Sequence, residues 1–232
     1  MEAVILAGGL GTRLRSVVPD LPKPMAPVAG KPFLAWVLED LRRQGIRRAV
    51  LAVGYRWESI RDYFGATHAG LALDYSVETD PLGTGGAIRQ ALDMSSAEHV
   101  FVVNGDTYLE LDYAALMQAH LAAGVPLSLT ACALDDVGRY GALEILDNRV
   151  TGFLEKGRQG PGRINGGIYL LRRNLFEGSN LPTRFSFETD FLMPGIAELT
   201  PLAYPVEGSF IDIGVPDDYM RAASIVCRGS NA

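Results

Sequence analysis

A glycine-rich segment with positive charges lies near the N-terminus, in residues 6–25 (LAGGLGTRLRSVVPDLPKPM). It follows a short apolar run, and its glycines let backbone N–H groups turn toward a bound anion. Arg13 can hold phosphate oxygens through two parallel hydrogen bonds, whereas Lys23 acts as a point charge. The segment therefore predicts a site for a phosphate-bearing ligand.

Two common phosphate-binding loops do not fit this segment. A dinucleotide fingerprint, G-x-G-x-x-G, could start at Gly9, but Leu14 stands where its third glycine is needed. A P-loop needs Gly-Lys followed by Ser or Thr, and the Gly-Lys pair at 30–31 is followed by proline. An ordinary tight turn is the remaining alternative, and the charges of Arg13 and Lys23 count against it.

Two aspartates stand at the ends of apolar runs. Asp106 ends the run HVFVVNGD at 99–106, and Asp212 lies between apolar residues just before a glycine turn. A carboxylate in such a place needs a partner that offsets its desolvation, and Mg²⁺ bridging to phosphate is such a partner. A helix cap is the alternative for Asp106, whereas Asp217 and Asp218 are interpreted as first-turn helix charges.

Alternating strands and helices must position these residues. Apolar runs predict strands at 2–7, 46–55, 71–77, 99–106 and 126–134. Helical spacing and terminal signals predict helices at 32–45, 57–65, 86–94 and 113–124. This alternation predicts an α/β fold with a mostly parallel, Rossmann-like sheet covered by helices, whose ligands bind at the carboxyl ends of its strands.

The second half of the chain is richer in strands. GALEIL, RVTGFLEK and INGGIYLLRR predict successive strands, and residues 187–199 predict one helix despite Pro194. The tail SFIDIGVPDDYMRAASIV predicts a strand, a turn and a closing helix. Since no repeat or linker divides the chain, we expect one domain over 1–232, with a nucleotide-binding half at about 1–125 and a β-rich substrate half at about 126–232.

The composition narrows the class of protein. The 232 residues carry a net charge of −6 at pH 7, which argues against nucleic-acid binding. Cys132 and Cys227 have no metal spacing and predict two buried thiols in a reducing compartment, in preference to a disulfide. His68, His99 and His120 are scattered and are interpreted as structural. Neither a signal peptide nor a membrane-spanning run is apparent, so a cytoplasmic protein with no membrane partner is expected.

The glycine-rich segment resembles the signature of the sugar-1-phosphate nucleotidylyltransferases, LAGGxGTRLxPLTxxxPKPM, with RLRSVVPD in place of RLxPLT. The resemblance implies a nucleotidyltransferase GT-A-like fold, with GTP or another NTP and a sugar 1-phosphate as substrates. It also implies that Arg13 neutralises the nucleotide phosphates and that Lys23 bridges the two substrates. The nucleotide-binding residues implied for this segment are Leu6, Ala7, Gly8, Gly9, Gly11, Thr12, Arg13 and Lys23.

Further motifs extend the resemblance along most of the chain. PLGTGGAI and VVNGDT are similar to the family's base-recognition turn and metal motif, which assigns Gly83, Thr84, Gly85, Asn104 and Gly105 to the nucleotide. VVNGDT and SFIDIGVPDDY supply the implied Mg²⁺ ligands, Asp106 and Asp212. FLEK, INGGIY and FSFETDF imply that the β-rich half binds the sugar. The sugar-phosphate site that they imply is formed by Glu155, Lys156, Asn165, Gly167 and Glu188. A helix entry is the alternative for the glycine turn, and a solvated surface position is the alternative for Glu188.

The implied reaction is attack of a sugar 1-phosphate oxygen on the α-phosphorus of the NTP, with pyrophosphate leaving. Its implied catalytic residues are Arg13, Lys23 and Asp106. The attacking phosphate is already an anion near neutral pH, so no general base is required. Catalysis is therefore expected to depend on positioning and charge neutralisation.

Within the family, the chain looks most like the D-glycero-α-D-manno-heptose 1-phosphate guanylyltransferases, which make GDP-heptose for S-layer, capsule or lipopolysaccharide glycans. Uridylyltransferases for N-acetylmuramate 1-phosphate, guanylyltransferases for mannose 1-phosphate and thymidylyltransferases for glucose 1-phosphate stay as alternatives. A GT-A glycosyltransferase would need a D-x-D motif, which residues 106–108 do not supply. A nucleotide-sugar sensor is disfavoured because the charged site residues are all present. Assembly is left open, with a homodimer among the alternatives.

Overall fold

The computed structural model describes residues 1–9, 14 and 21–229. Within them, the strands in chain order are β1 (Glu2–Leu6), β2 (Pro27–Val28), β3 (Lys31–Pro32), β4 (Arg48–Val53), β5 (Thr67–His68), β6 (Leu71–Val77), β7 (His99–Asn104), β8 (Thr107–Leu109), β9 (Leu127–Leu134), β10 (Leu143–Leu146), β11 (Arg149–Phe153), β12 (Gly162–Arg172), β13 (Leu202–Val206) and β14 (Phe210–Asp212). The α-helices are α1 (Phe33–Arg43), α2 (Trp57–Phe64), α3 (Gly83–Leu92), α4 (Tyr113–Ala123), α5 (Ile196–Leu199) and α6 (Pro216–Gly229). A 3₁₀ turn spans Lys23–Met25, and a π-helix spans Phe187–Leu192.

One ten-stranded sheet carries most of the described strands, in the order β10-β11-β13-β9-β12-β7-β1-β4-β6-β5. Strands β7, β1, β4 and β6 are mutually parallel, and β12 is antiparallel to both β7 and β9. Tracing the pairings across this sheet, β1, β4, β6, β7, β9, β10 and β13 point one way, and β5, β11 and β12 the other. The predicted α/β fold with a mostly parallel sheet is confirmed.

Two hydrophobic cores lie on opposite faces of this sheet. In β1, Ala3 and Ile5 pack into the core that holds α1 and α6, whereas Val4 packs into the core that holds α3. Successive side chains of a strand point to opposite faces, so a strand covered on both sides must be apolar throughout. This explains why β1, β4 and β7 read as continuous apolar runs in the sequence.

The predicted single helix over 187–199 is wrong. The structure has the π-helix Phe187–Leu192, a turn, and then the short helix α5. Pro194 lies in the turn, where it cannot donate a backbone hydrogen bond and its ring disfavours a continuous helix. The sequence prediction also missed β13, which pairs in parallel with β9.

Two smaller findings complete the architecture. Cys132 and Cys227 are free thiols; Cys132 is buried, as predicted, whereas Cys227 is only partly buried. Among the described residues, no helix is both long enough and apolar enough to cross a lipid bilayer.

Candidate active site

A cavity of about 740 Å³ opens at the carboxyl ends of β1, β4, β6 and β7. Parallel strands bring their carboxyl ends to one edge, which is where ligands of open α/β sheets bind. Of the residues assigned from the sequence, those that line the cavity are Leu6, Gly8, Gly9, Lys23, Gly83, Thr84, Asn104 and Asp106. Gly11, Thr12 and Arg13 lie outside the described residues.

Asp106 and Asp212 are brought together by the short antiparallel pair β8–β14. In that ladder Asp212 stands opposite Thr107, the residue after Asp106, and the Ile213 N–H donates to the backbone oxygen of Asp106 at 3.0 Å. Gly214 N–H donates to Asp212 Oδ1 at 2.7 Å. Although the two aspartates are 106 positions apart along the chain, the fold places them at one site.

Lys23 lies between these two carboxylates. Its Nζ is 2.5 Å from Asp106 Oδ2 and 3.1 Å from Asp212 Oδ1, and its side chain is only 11% exposed. The 3₁₀ turn Lys23–Met25 directs it there, with the Met25 N–H donating to the Pro22 carbonyl oxygen. The ammonium neutralises one of the two negative charges that the aspartates bring to this site.

The two carboxylates suit a magnesium ion completed by substrate oxygens. In the described part of the chain, no cluster of three or more His, Cys, Asp or Glu side chains could hold a metal by itself. Mg²⁺ is commonly bound through one or two carboxylates, with phosphate oxygens and water filling its octahedron. Asp106 and Asp212 therefore fit Mg²⁺ in the presence of a phosphate ligand.

Gly105 has no room for a side chain because a backbone carbonyl oxygen occupies that space, whereas a side chain at Gly8 would require the Glu78 carboxylate to shift. A Cβ on Gly8 would lie 2.9 Å from Glu78 Oε1, and one on Gly105 would lie 2.8 Å from the Leu6 carbonyl oxygen. That oxygen also accepts a hydrogen bond from Gly105 N–H at 2.9 Å. Ala7 holds the same edge, since its N–H donates to the Ala52 carbonyl oxygen at 2.8 Å.

The glycine turn that begins α3 packs against residues 183–187. Gly83 has φ of +71°, and its backbone approaches the Phe185 carbonyl closely. Gly85 does not line the cavity; its missing side chain makes room for the Phe185 ring. The Thr84 hydroxyl accepts a hydrogen bond from Phe187 N–H at 2.9 Å, so the turn and the π-helix are joined at the cavity edge.

Three of the residues assigned to the sugar form a connected group. Asn165 Nδ2 and the Tyr169 hydroxyl both donate to Glu188 Oε1, at 2.9 and 2.6 Å. Gly167 N–H donates to Asn165 Oδ1 at 3.1 Å, where an irregularity interrupts the β9–β12 register. A Cβ on Gly167 would lie 2.6 Å from Asn104 Nδ2, so this group adjoins the cavity wall.

Glu155 and Lys156 lie outside the cavity. Both follow β11 in an exposed segment, and neither lines the cavity. Their assignment to the sugar phosphate stays a prediction.

Glu78 is a cavity residue that the sequence reading missed. It directly follows β6, accepts a hydrogen bond from Leu82 N–H through Oε2 at 2.9 Å, and faces Gly8 with Oε1. Burial raises the pKa of its carboxyl, and the Leu82 hydrogen bond opposes that rise. Its position at the carboxyl end of a predicted parallel strand was the signal that could have identified it.

Nearly the whole chain is similar in sequence to known nucleotidyl transferases. The sequence profile of the nucleotidyl transferase family matches residues 2–229. The D-glycero-alpha-D-manno-heptose 1-phosphate guanylyltransferase of Aneurinibacillus thermoaerophilus is 44% identical over 222 residues, 96% of each chain. The protein of the same name from Campylobacter jejuni subsp. jejuni is 43% identical, over 94% of this chain and 97% of that one.

Solved structures show the same likeness in three dimensions. HddC from Yersinia pseudotuberculosis, complexed with GMP-PN, has a TM-score of 0.86 and 43% identity, and the match covers 96% of this chain and 98% of that one. A putative glucose-1-phosphate thymidylyltransferase from Bacillus anthracis has a TM-score of 0.84 at 19% identity over 97% of this chain and 95% of that one, a likeness of fold.

Proposed function

The chain belongs to the nucleotidyl transferase family, and from that premise we propose that it is a sugar-1-phosphate guanylyltransferase. It joins GTP and D-glycero-α-D-manno-heptose 1-phosphate to give GDP-heptose and pyrophosphate. The relatives of that name, similar over almost their full length, support the choice of substrates. The observation that carries the chemistry is Lys23 held between Asp106 and Asp212 at the edge of the cavity.

The residues of this site act by positioning and by charge. One oxygen of the sugar 1-phosphate attacks the α-phosphorus of GTP, a new P–O bond forms, and the bond to pyrophosphate breaks. No proton has to move, because the attacking phosphate is already an anion. Lys23 offers its ammonium to the phosphate oxygens and stabilises the charge that develops on them.

Asp106 and Asp212 are the proposed ligands of Mg²⁺. When bound, the ion supplies charge neutralisation and a fixed orientation of phosphate oxygens. The carboxylates are held for this role by the β8–β14 ladder and by the Gly214 N–H.

Glu78 supports guanine as the base. A carboxylate accepts hydrogen bonds only, and guanine offers neighbouring N–H donors at N1 and N2. Uracil and thymine offer a single N–H between two carbonyl oxygens, which a carboxylate would repel. We therefore propose that Glu78 reads the Watson–Crick edge of guanine from the cavity wall.

The proposal also divides the substrate contacts between the two halves of the chain. The proposed nucleotide contacts come from the first half of the chain, and the proposed sugar contacts, Asn165 and Glu188 among them, from the second. The two halves expected within one domain stay a prediction. A cytoplasmic location stays a prediction.

A matrix of substrates tests the function. Four NTPs are each combined with heptose, mannose, glucose and N-acetylmuramate 1-phosphates, with and without Mg²⁺, and pyrophosphate release is measured. We expect the largest kcat/KM for GTP with the heptose 1-phosphate, and none after chelation of the metal. No release with any pair would refute an enzyme, whereas turnover confined to UTP or dTTP would refute the guanylyl assignment.

A further inference from the structure

Asp218, in the first turn of α6, is a buried carboxylate that pairs with the half-exposed side chain of Arg139. Its side chain is only 3% exposed, and Oδ2 accepts a hydrogen bond from Arg139 Nη2 at 2.6 Å. The Tyr140 hydroxyl donates to the same oxygen at 3.4 Å, and Arg221 Nη1 lies 3.5 Å from Oδ1. The sequence interpretation as a first-turn helix charge therefore omitted its main partner, because Arg139 lies 79 residues away along the chain.

Arg139 belongs to a loop, residues 136–142, that also holds the segment carrying Glu155 and Lys156. We call residues 154–157 the acceptor segment. Its Leu154 N–H donates to the Ala142 carbonyl oxygen and its Gly157 N–H to the Gly138 carbonyl oxygen, both at 2.8 Å. The two residues assigned to the sugar phosphate thus lie between two hydrogen bonds that fix their backbone to the loop.

The first turn of α6 contacts the nucleotide side as well. The Tyr219 hydroxyl donates to the Pro27 carbonyl oxygen at 2.6 Å, just beyond the Lys23–Met25 turn. Strand β14, which ends at Asp212, immediately precedes the helix, and its Phe210 ring packs against Tyr140 at 5.6 Å between centroids. The helix start therefore connects the carboxylates of the site with the loop that holds the acceptor segment.

We propose that Arg139 and Asp218 are positioning residues for the acceptor substrate. Their ion pair fixes loop 136–142, and with it the acceptor segment, relative to Asp212. A buried charge without its partner is unfavourable, so loss of either member shifts the loop or opens the pair to water. The proposal rests on the proposed function for the identity of the acceptor, the sugar 1-phosphate.

Asp218→Asn tests this role, because it removes the charge while keeping the size of the side chain. We expect KM for the sugar 1-phosphate to rise roughly tenfold, with KM for GTP within about twofold of the parent. Asp217→Asn is the matched control: it makes the same change in the neighbouring, exposed residue and should leave both KM values unaltered. Equal effects of Asp218→Asn on both substrates, or none on either, would overturn the proposal.

A second measurement does not depend on catalysis. The Gly141 N–H donates within the loop, to the Val137 carbonyl oxygen, and the Gly157 N–H donates to the loop at Gly138. Hydrogen exchange of these two amides should accelerate in both Asp218→Asn and Arg139→Gln. Arg139→Lys keeps the positive charge, so most of the parent's exchange protection and its KM for the acceptor should be retained. The double variant Asp218→Asn/Arg139→Gln should have an acceptor KM and exchange rates no higher than those of Asp218→Asn alone.

Two further outcomes are informative. If Asp218→Asn does not fold, Arg139→Gln carries the same kinetic test, since the Arg139 side chain is half exposed. Failure of the proposed function would be visible as absent turnover in the parent protein. Failure of the positioning role would leave parent turnover intact and loop exchange unchanged in the variants.

Discussion

Lys23 is the residue on which the charge balance of the site depends. Replacing it by methionine removes the ammonium that lies between Asp106 and Asp212. We expect kcat/KM for pyrophosphate release to fall roughly 100- to 1,000-fold, the range seen when one donor to a developing phosphate or oxyanion charge is removed. Lys31→Met is the control, because Lys31 pairs with Glu39 outside the cavity. Comparable losses in both variants would contradict the assignment.

Glu78 is the residue proposed to select the base. Glu78→Gln replaces one acceptor oxygen by an NH₂ donor, which opposes the N–H edge of guanine and suits a pyrimidine carbonyl. We expect kcat/KM for GTP to fall at least about tenfold, with the UTP-to-GTP ratio rising, since an unpaired buried donor is unfavourable. Glu98→Gln, an exposed carboxylate at the amino-terminal edge of β7, should change neither value. An unchanged ratio in Glu78→Gln would show that the base is read elsewhere.

At the scale of elements, α3 depends on the absence of side chains at its start. A Cβ on Gly85 would overlap the Phe185 ring, which packs against Phe176 with centroids 5.5 Å apart. Gly85→Ala should therefore lower the free energy of unfolding by about 1–3 kcal/mol, the usual range for overpacking. Urea denaturation measures this change. Gly9→Ala is the control for stability, because among the described residues, its chain neighbours aside, no atom lies within 4 Å of the added Cβ; equal losses would exclude the packing explanation.

The elements that the sequence predicted are those whose pattern follows from local burial. The middle of strand β7, residues 100–103, is apolar because both its faces are covered. The register Leu6↔Asn104 then brings Asp106 to the glycine-rich edge. Strand β13 was missed because it is short, contains Pro205, and owes its place to β9 far away along the chain. Local patterns do not encode such distant pairings.

The same distinction separates the site residues that were predicted from those that were not. Lys23, Asp106 and Asp212 stand in recognisable motifs, and the structure brings them together. Glu78 reaches Gly8 only because β6 pairs with β4, and Asp218 is buried only because Arg139 comes to it from another element. Both roles depend on tertiary contacts that no short stretch of sequence contains.

At the scale of the whole molecule, a histidine pair makes folding stability depend on pH. His120 on α4 is fully buried, with Nε2 2.9 Å from His99 Nδ1 on β7 and Nδ1 2.7 Å from Ser128 Oγ on β9. Burial, with smaller contributions from His99 and Arg172, lowers the pKa of His120 from 6.5 to about 4. The imidazole therefore stays neutral inside the folded protein over a range in which the unfolded chain takes up a proton.

The sign of the effect follows from that proton. Between pH 6.5 and 4 the unfolded state binds more protons at His120 than the folded state does. The contribution of the neutral His120 to the free energy of unfolding is therefore present above pH 6.5 and is lost as the pH falls toward 4. From pH 7 to 5 the loss should be roughly 2 kcal/mol. His120→Gln keeps a neutral hydrogen-bonding side chain without this titration. Urea denaturation at both pH values should show a smaller loss in the variant by about that amount; an equal loss in variant and parent would mean that other groups carry the acid sensitivity.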